Sequence, residues 1–548
     1  MFNIKHTYKD AKRLKQIATA LFKVGLGYYL EELKLNHHLF WHQRIQKQEK
    51  PRDLPQKVRM VMDELGGSFV KLGQLLSLRS DLIPEEYCEE FSKLQDGVTP
   101  FAYGAVKGTI EKESKHKLSQ IFSYFDKEPV ASASIGQVHK ARLLNGERVV
   151  VKIQRPKIKE IMNQDIDLLY YLVDLLQKKF ENIREHNLRE IVDEFKRYTL
   201  DELDYLKEGR NIDKFFNNFK DSETVRVPKL YKDFTTQKVL TMSYIDGIPI
   251  DDKEGFEEWG CDDSVVAKNL ANCFLKQVFE FGFFHADSHP ANVFVLPENK
   301  IALLDYGICG HLTEEMKENL LDMLISLVHR DINNVVDCFL GMGVLEEKDE
   351  KLVSELGMIV EEHAESSMEE IDVVKLFNEL TFVARKYKFK LPVDFILLVK
   401  AIVTCEGVGR SLDSKFKLSD SLHGYVDDLT ARRLKPGHVI KAFVDDVNEF
   451  KSNMKLIPTQ VNQILARLKG GGLGVQFERK DLVQLEREME RSTNRVSMGV
   501  IIAALIVASA IVLQAGKGNW LAFLGFLTAI FLTINIITSV IKERRVIV

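Results

Sequence analysis

The stretch HADSHPANVFV, residues 285–295, followed by LLDYG at 303–307, constrains this chain more than any other. It places Asp287, then Asn292 five residues on, then Asp305 directly ahead of Tyr306-Gly307, all among strongly apolar neighbours. Carboxylates in such surroundings are costly unless something compensates them. A metal ion carrying phosphates would do so. Asn and Asp oxygens are hard ligands, suited to a cation that keeps water and phosphate oxygens in its shell. Gly307 lets the backbone turn tightly behind the last ligand. His285 and His289 beside Asp287 also allow a transition-metal reading, but no Cys joins the group and that reading leaves the downstream Asn and DYG unexplained.

The pattern upstream supplies a cationic partner. FSYFDKEPVASASIGQVHKARLLNGERVVVKIQRP reads as three strands, with Asn145-Gly146 as a hairpin turn. Lys152 lies on the strand VVVKI, where alternation equally permits an edge-strand lysine facing water. Helices are expected from about 160 to 219 and from 264 to 281. VPKLYKDFTTQKVLTMSYIDGIPI reads as two strands. NVFVLPENKIALLDYG reads as a hairpin, turning at Pro297–Asn299, with a strand ending at Asp305. From 313 to about 468 the pattern is helical. Residues 57–120 are helical too, with Ser68 as N-cap of FVKLGQLLSL and Pro84 opening EEYCEEFSKL. A small β-rich lobe before a helical lobe, with polar residues at their junction, is the outline of a bilobal protein-kinase-like α+β fold. In that plan a strand lysine holds phosphates, a helix glutamate orients it, one Asp contacts the acceptor, and an Asn and a second Asp hold Mg²⁺.

The expected boundaries are a basic helical segment at 1–54, a helical extension at 55–120, the kinase-like domain at 121–468, a Gly-rich hinge and stalk at 469–495, and a hairpin at 496–541. Within the kinase-like domain the small lobe runs to about 245. At 548 residues the chain is long enough for a catalytic domain with appendages. Its net charge of -4 carries no nucleic-acid signature. Cys88, Cys261, Cys273, Cys309, Cys338 and Cys405 are scattered without a CxxC pair, which suits a reducing cytosol. Near the N-terminus Leu14, Ile17, Ala18, Leu21 and Phe22 fall at helical spacing beside several lysines, so this segment reads as an interfacial membrane helix or as a basic helix capping the domain. Residues 496–516 and 518–541 are free of charge, separated by Lys517 and flanked by Arg491, Arg495, Lys542, Arg544 and Arg545. They read as a two-helix transmembrane hairpin with both ends in the cytoplasm and Trp520 at the interface.

These residues resemble the UbiB family of atypical kinase-like proteins, the aarF-domain kinases, over roughly residues 55–420, and the hairpin extends the likeness to the bacterial members. Lys71-Leu72-Gly73-Gln74 matches the KxGQ signature. Ala131, Ser132, Ala133, Ser134, Ile135 and Gly136 match the alanine-rich loop that replaces the kinase glycine-rich loop. Lys152 matches the nucleotide-binding lysine, Glu202 and Asp204 the ExD motif, and Glu208 the partner of the strand lysine. Asp287 matches the catalytic Asp, and Asn292 and Asp305 the metal ligands. CEGVGRSLD at 405–413 resembles a further stretch in the C-terminal lobe. Met242 stands where a gatekeeper would, with Ser243, Tyr244 and Ile245 as the adenine-facing hinge. Ser132 in place of alanine, and HPAN in place of HPGN, are small departures that bear on the choice between ADP and ATP.

The resemblance implies ATP and Mg²⁺ binding, with slow ATPase activity in place of ordinary protein phosphorylation. It implies that Lys71 meets the carboxylates of Glu202 and Asp204 as a latch over the cleft, with Gln74 on the same helix. It further implies a role in isoprenoid quinone biosynthesis at the bacterial inner membrane, with the kinase-like domain in the cytoplasm. Membrane lipids, lipid-like quinone precursors and quinone-biosynthesis proteins are the partners it suggests. Two rivals remain at this level. One is a phosphotransferase acting on a small molecule or lipid headgroup. The other is a nucleotide-binding scaffold, whose signature would be a missing metal ligand.

Overall fold

The computed structural model describes residues 7–32, 53–94 apart from 78, 80 and 81, 99–179, 188–329, 331–345, 350–364 and 391–433, with short pieces within 375–387 and 502–532. The chain forms two compact units, Met1–Thr430 and Ala431–Val548.

In chain order the strands are β1 (Phe122–Phe125), β2 (Ala131–Ser132), β3 (Gly136–Leu143), β4 (Arg148–Gln154), β5 (Val225–Arg226), β6 (Val239–Ser243), β7 (Ile248–Pro249), β8 (Phe283–His285), β9 (Val293–Leu296), β10 (Lys300–Leu303) and β11 (Cys309–His311). The small lobe is an antiparallel sheet in the order β1-β3-β4-β6, with β2 paired to β3. The stretch expected to form three strands forms four, because β2 is too short to leave a periodic signal. Alternation in β4 turns Val149, Val151 and Ile153 into a fully buried cluster with Val106 and Ile110. Lys152 therefore points to the opposite face. Since β4 lies between β3 and β6, the edge-strand reading of Lys152 does not hold.

The helices around this sheet and before it are α1 (Thr7–Lys23), α2 (Gly27–Glu32), α3 (Leu54–Leu65), α4 (Ser68–Ser77), α5 (Glu85–Phe91), α6 (Tyr103–Ser114), α7 (Leu118–Ile121), α8 (Ile158–Lys179), α9 (Leu188–Glu202) and α10 (Tyr205–Asn218). The apolar face of α1 is covered: Ile17 packs with Phe69, Leu72 and Leu169, and Arg13 reaches Asp165 through Nε at 2.8 Å and Nη2 at 3.0 Å. The surface an interfacial helix would give to lipid is thus spent on the domain, leaving the capping reading. Ser68 does not N-cap α4. It is the first residue of the helix, buried, with its hydroxyl against Met162 Sδ at 2.9 Å. Gly66 and Gly67, both at positive φ, make the turn into the helix instead.

The large lobe holds α11 (Lys253–Trp259), α12 (Asp263–Leu275), α13 (Glu314–His329), α14 (Ile332–Gly341), α15 (Glu350–Ala364), α16 (Val393–Leu412) and α17 (Leu418–Arg433). One core joins them, with Phe274, Phe284, Tyr306, Phe339, Phe395 and Cys405 buried together. The strand expected to end at Asp305 ends at Leu303, and β10 pairs with β9 across the Pro297–Asn299 turn. A two-stranded pair, β8 with β11, sets His285 opposite Cys309 and brackets the DYG turn.

Among the described residues no helix is long and apolar enough to cross a membrane. The expected transmembrane hairpin at 496–541 therefore has no described span to carry it. Its described parts are chiefly helical pieces at 504–509 and 523–529, each reaching about 10 Å against the ~30 Å of a bilayer core. The remainder, the Gly-rich hinge and the stalk lie outside the described residues.

Candidate active site

Lys152 leaves the concave face of β4 and makes three short polar contacts. Its Nζ lies 2.9 Å and 3.0 Å from the two Glu208 carboxylate oxygens and 3.0 Å from Asp305 Oδ2. Tyr205, one turn before Glu208 on α10, sets its ring 5.3 Å from the same ammonium. Burial by itself would pull the lysine pKa down, but the carboxylates of Asp305 and Glu208 outweigh it and hold Lys152 charged. Burial likewise pushes Asp305 up, yet Lys152 and the Gly307 N–H, 2.9 Å from Oδ1, together bring it down to about 2. Glu208 goes the other way, pushed up to about 7 by burial against the pull of Lys152.

The DYG backbone is held from both lobes. Asn211, one turn after Glu208, donates to Tyr306 O at 2.9 Å. On the other side the His285 imidazole bonds Asp305 O through Nε2, while its Nδ1 accepts from Asp287 N at 3.2 Å. Burial keeps His285 below its usual pKa. His289 Nδ1 accepts from Ala291 N and so caps its own turn. With both Nδ1 atoms and His285 Nε2 committed to backbone, the transition-metal reading is removed. Among the described residues no group of His, Cys, Asp and Glu is clustered to bind such an ion.

Asn292 sits five residues past Asp287 and folds back on it. Its Nδ2 donates to Asp287 O at 3.0 Å and to Asp287 Oδ2 at 3.3 Å. Asn292 O accepts from Leu304 N, tying this loop to the residue before Asp305. With the amide nitrogen spent on Asp287, Asn292 Oδ1 remains as an acceptor. One amide oxygen and one carboxylate tied through a backbone bond form a hard-oxygen donor set that fits Mg²⁺.

The loop 131–136 closes the roof. Ala133 N bonds Gly136 O at 2.8 Å, and Arg155 N bonds Ile135 O at 2.7 Å. Gly136 is required here: a Cβ would come within 2.5 Å of the Tyr205 hydroxyl and 2.6 Å of Ile153 O. Ser132 Oγ, Tyr205 OH and Glu202 Oε2 are buried without a hydrogen-bond partner. Unsatisfied buried polar atoms are rare in folded proteins. Their presence on the loop and on the segment below it fits a polar ligand such as nucleotide phosphate.

Met242 is buried on β6, opposite Val150. Ser243 N bonds Lys229 O and Tyr244 N bonds Arg148 O, so these two hinge donors are already engaged.

The helical extension reaches the site through α4. Lys71 Nζ lies 2.5 Å from Glu202 Oε1, with both side chains largely buried. The family resemblance implied Asp204 in this latch as well. Asp204 instead N-caps α10, accepting from Leu206 N at 3.2 Å. Gln74 donates to Leu94 O at 3.3 Å and fixes α4 to the end of the α5 segment. Gly73 allows that closeness, since a Cβ would meet Leu94 Cδ1 at 2.2 Å.

Sequence reasoning missed Lys400. This residue of α16 places Nζ 2.8 Å from Asp287 Oδ1. It also passed over Tyr205, which the ExD and Glu208 positions bracket, and Asn211, one turn beyond. A lysine within a long helical lobe carries no local signal, whereas Tyr205 could have been found from its position.

A small antiparallel sheet presenting a lysine, a glutamate helix beneath it, and an Asp–Asn loop beside a DYG turn define a kinase-like protein. Residues 93–339 match the ABC1 atypical kinase-like domain, 356–417 the UbiB helical domain and 480–542 the ABC1/UbiB kinase-like C-terminal domain. A probable protein kinase UbiB from Marinobacter nauticus is 31% identical over 85% of this chain and 86% of its own length. An uncharacterized protein in a hydrogenase 1 5' region of Clostridium pasteurianum is 28% identical over 97% of this chain and 99% of its own. A solved Mycobacterium tuberculosis structure in complex with erythromycin aligns with a TM-score of 0.46 at 24% identity, covering 64% of this chain and 90% of that one. The chain belongs to the ABC1/UbiB family of atypical kinase-like proteins.

Proposed function

We propose that this protein is a membrane-attached, Mg²⁺-dependent atypical kinase that spends ATP slowly, chiefly as an ATPase, in support of isoprenoid quinone biosynthesis or related lipid handling. The observation that carries the nucleotide reading is the cluster of buried Lys152 and Glu208 with the half-exposed Asp305, tied to Asp287 and Asn292 through the Leu304–Asn292 backbone bond. In this reading Lys152 takes the α/β-phosphates and Glu208 keeps it aimed. Asn292 and Asp305 hold the cation, which when bound neutralises phosphate charge. Asp287 receives the proton of the attacking water or hydroxyl. Loop 131–136 covers the phosphates, Met242 lines the adenine side, and Ile245 is the hinge residue left to offer its N–H. Lys71 with Glu202 is the latch. Neither Asn292 nor Asp305 is missing from the sequence, which favours a catalyst over a scaffold.

Membrane attachment is supported by the charge-free runs at 496–516 and 518–541 and by the manner in which their described pieces pack. Ser509 and Ala529 are buried, and a Cβ on Gly525 would sit 2.0 Å from Ser509 Oγ, while Val507, Phe523, Leu524 and Leu527 stand exposed. Small residues inside and large apolar ones outside is the arrangement that lipid favours. The quinone role rests on the family resemblance, and the lipid-like precursors and partner proteins follow from it. On the charge pattern the kinase-like domain faces the cytoplasm of a bacterial inner membrane.

The test is phosphate release by the full chain reconstituted in anionic liposomes with and without a phenolic quinone-precursor mimic. Slow Mg²⁺-dependent release, raised by the mimic and lost in Asp305→Asn, is expected. A folded protein that binds nucleotide but releases no phosphate in any of these mixtures would establish the scaffold instead. Transfer of labelled phosphate to a lipid acceptor would establish the phosphotransferase.

A further inference from the structure

The catalytic loop itself offers no fixed positive charge. Two residues after Asp287 stands His289, exposed and engaged in capping its own turn. His285 is buried, with its ring committed to the Asp305 carbonyl and the Asp287 N–H. Lys152 belongs to the opposite lobe and is shared between two carboxylates. Yet the terminal phosphate of ATP carries charge that ADP lacks, and phosphoryl transfer depends on stabilising it.

Lys400 fills this gap from a distant part of the chain. Helix α16 is fixed by Leu398, Ala401, Ile402 and Cys405, all buried in the large-lobe core. Asp394 at its start accepts from His311 N at 2.9 Å, which anchors the helix to β11 beside the DYG turn. Position 400 falls on the face turned to the catalytic loop, and its ammonium rests 2.8 Å from Asp287 Oδ1. The other Asp287 oxygen receives Asn292. The carboxylate is thus held from two sides by groups of different charge. An ammonium has three donors, and Asp287 occupies one. The Lys400 side chain also keeps about a fifth of its surface open.

We propose that Lys400 is the terminal-phosphate cation of this site, binding the phosphate that is transferred while it positions Asp287. This rests on the nucleotide reading above. In the step it serves, the bond from phosphorus to the β–γ bridging oxygen breaks and that oxygen leaves with ADP. A bond forms from phosphorus to the oxygen of water or an acceptor hydroxyl, whose proton passes to Asp287. Lys400 gives up no proton. It balances negative charge on the transferring group and keeps Asp287 turned to the acceptor. A lysine serves here as a point charge, without the two-pronged geometry of arginine.

The measurement is equilibrium binding of ATP and of ADP, with Mg²⁺, to the full chain in liposomes, for the native protein, Lys400→Gln and Lys400→Arg. Lys400→Gln should lose about tenfold or more in ATP affinity, the effect of one charge-assisted hydrogen bond, with ADP affinity kept within about twofold as the mark of an intact fold. Lys400→Arg should retain most of the ATP preference. An ATP-to-ADP affinity ratio unchanged by Lys400→Gln would overturn the proposal and leave the proposed function standing. Should Lys400→Gln not fold, Lys400→Met gives the same reading: a fall in the ATP-to-ADP affinity ratio supports the proposal and an unchanged ratio overturns it. A preference kept by Lys400→Arg supports the charge. ADP binding tighter than ATP in that variant and in the native protein alike overturns the proposal. A native chain that binds neither nucleotide would sink the proposed function and this inference together.

Discussion

The two walls of the site are built on opposite terms. On the small-lobe wall, Lys152 and Glu208 are 12% and 6% exposed, and the ammonium is locked between that buried carboxylate and the half-exposed Asp305. On the large-lobe wall, Lys400 and Asp287 are 19% and 32% exposed and meet through a single contact. Burying charge is expensive, and partners inside the protein repay it only when the geometry is good. The first wall accepts that expense to fix a phosphate anchor before any ligand arrives. The second keeps its groups near solvent, where a proton and an acceptor must come and go. Stability and chemistry should therefore separate between them.

Lys152→Met breaks the comparison most severely. It strands the buried Glu208 without its cation, so unfolding free energy should drop by about 3–5 kcal/mol, read by denaturant titration, and nucleotide binding should vanish with it. Wild-type stability in this variant would mean that the buried cluster is far wetter than its contacts indicate. Asp287→Asn is the converse on the open wall. Phosphate release should fall by about 10²–10⁴-fold, as expected for loss of a general base. The melting temperature should stay within a few degrees, because Lys400 can still bond the amide oxygen, Asn292 keeps its bond to the backbone carbonyl of residue 287, and the side chain is partly open to water. Equal losses of stability in the two variants would erase the distinction between the walls.

The pH response sharpens the contrast within the closed wall. Glu208 is raised to about 7 in the fold, so its contribution is fully present below its unfolded pKa and is lost as pH rises through 7. Asp305 is lowered to about 2, so its contribution is present above its unfolded pKa and is lost as pH falls toward 2. Glu208→Gln removes only the first effect. From pH 5 to pH 8 the native protein should lose melting temperature relative to this variant, while at pH 3 the two should fall together. A difference that stays flat from pH 5 to 8 would show that Lys152 holds Glu208 ionised throughout.

The closed wall was largely legible from sequence because its members sit on short, patterned elements. The alternation of VVVKI forces Lys152 away from the Val149–Ile153 face, whereas Glu208, one turn into a capped helix, was marked only by the family resemblance. DYG and HADSHPAN mark the junction by spacing alone. The open wall was only half legible. Lys400 reaches Asp287 across more than a hundred residues, and its orientation is decided by how Leu398, Ala401 and Cys405 pack against the core. No local periodicity encodes that registry. Ser68 shows the same limit on a smaller scale. A serine ahead of an apolar run reads as a cap, yet two glycines at positive φ had already made the turn and released its hydroxyl to Met162. Asp204 reversed that error, since a residue expected in the latch became the cap.

The latch offers the smallest expected effect and the finest distinction. Lys71 and Glu202 form an ion pair at 2.5 Å between α4 and the end of α9, and a second pair joins Arg79 to Glu194 two turns back along α9. Removing one pair leaves the other in place, so Lys71→Ala should cost only about 1–3 kcal/mol, the penalty of an unpaired and partly buried partner. If the pair closes the cleft, its loss should raise phosphate release several-fold, and Glu202→Gln should do the same because either change opens the same contact. If Lys71 instead serves the chemistry, Lys71→Ala should lower release while Glu202→Gln, which loosens only this hold on the lysine, raises it. Because α4 is also fixed through Gln74 to Leu94 and through the close approach at Gly73, the extension should stay seated in both variants. Limited proteolysis of the segment before α6 would register whether it does. A rise in both variants with the extension still seated would assign the latching role to the ion pair itself, apart from the contacts that dock α4.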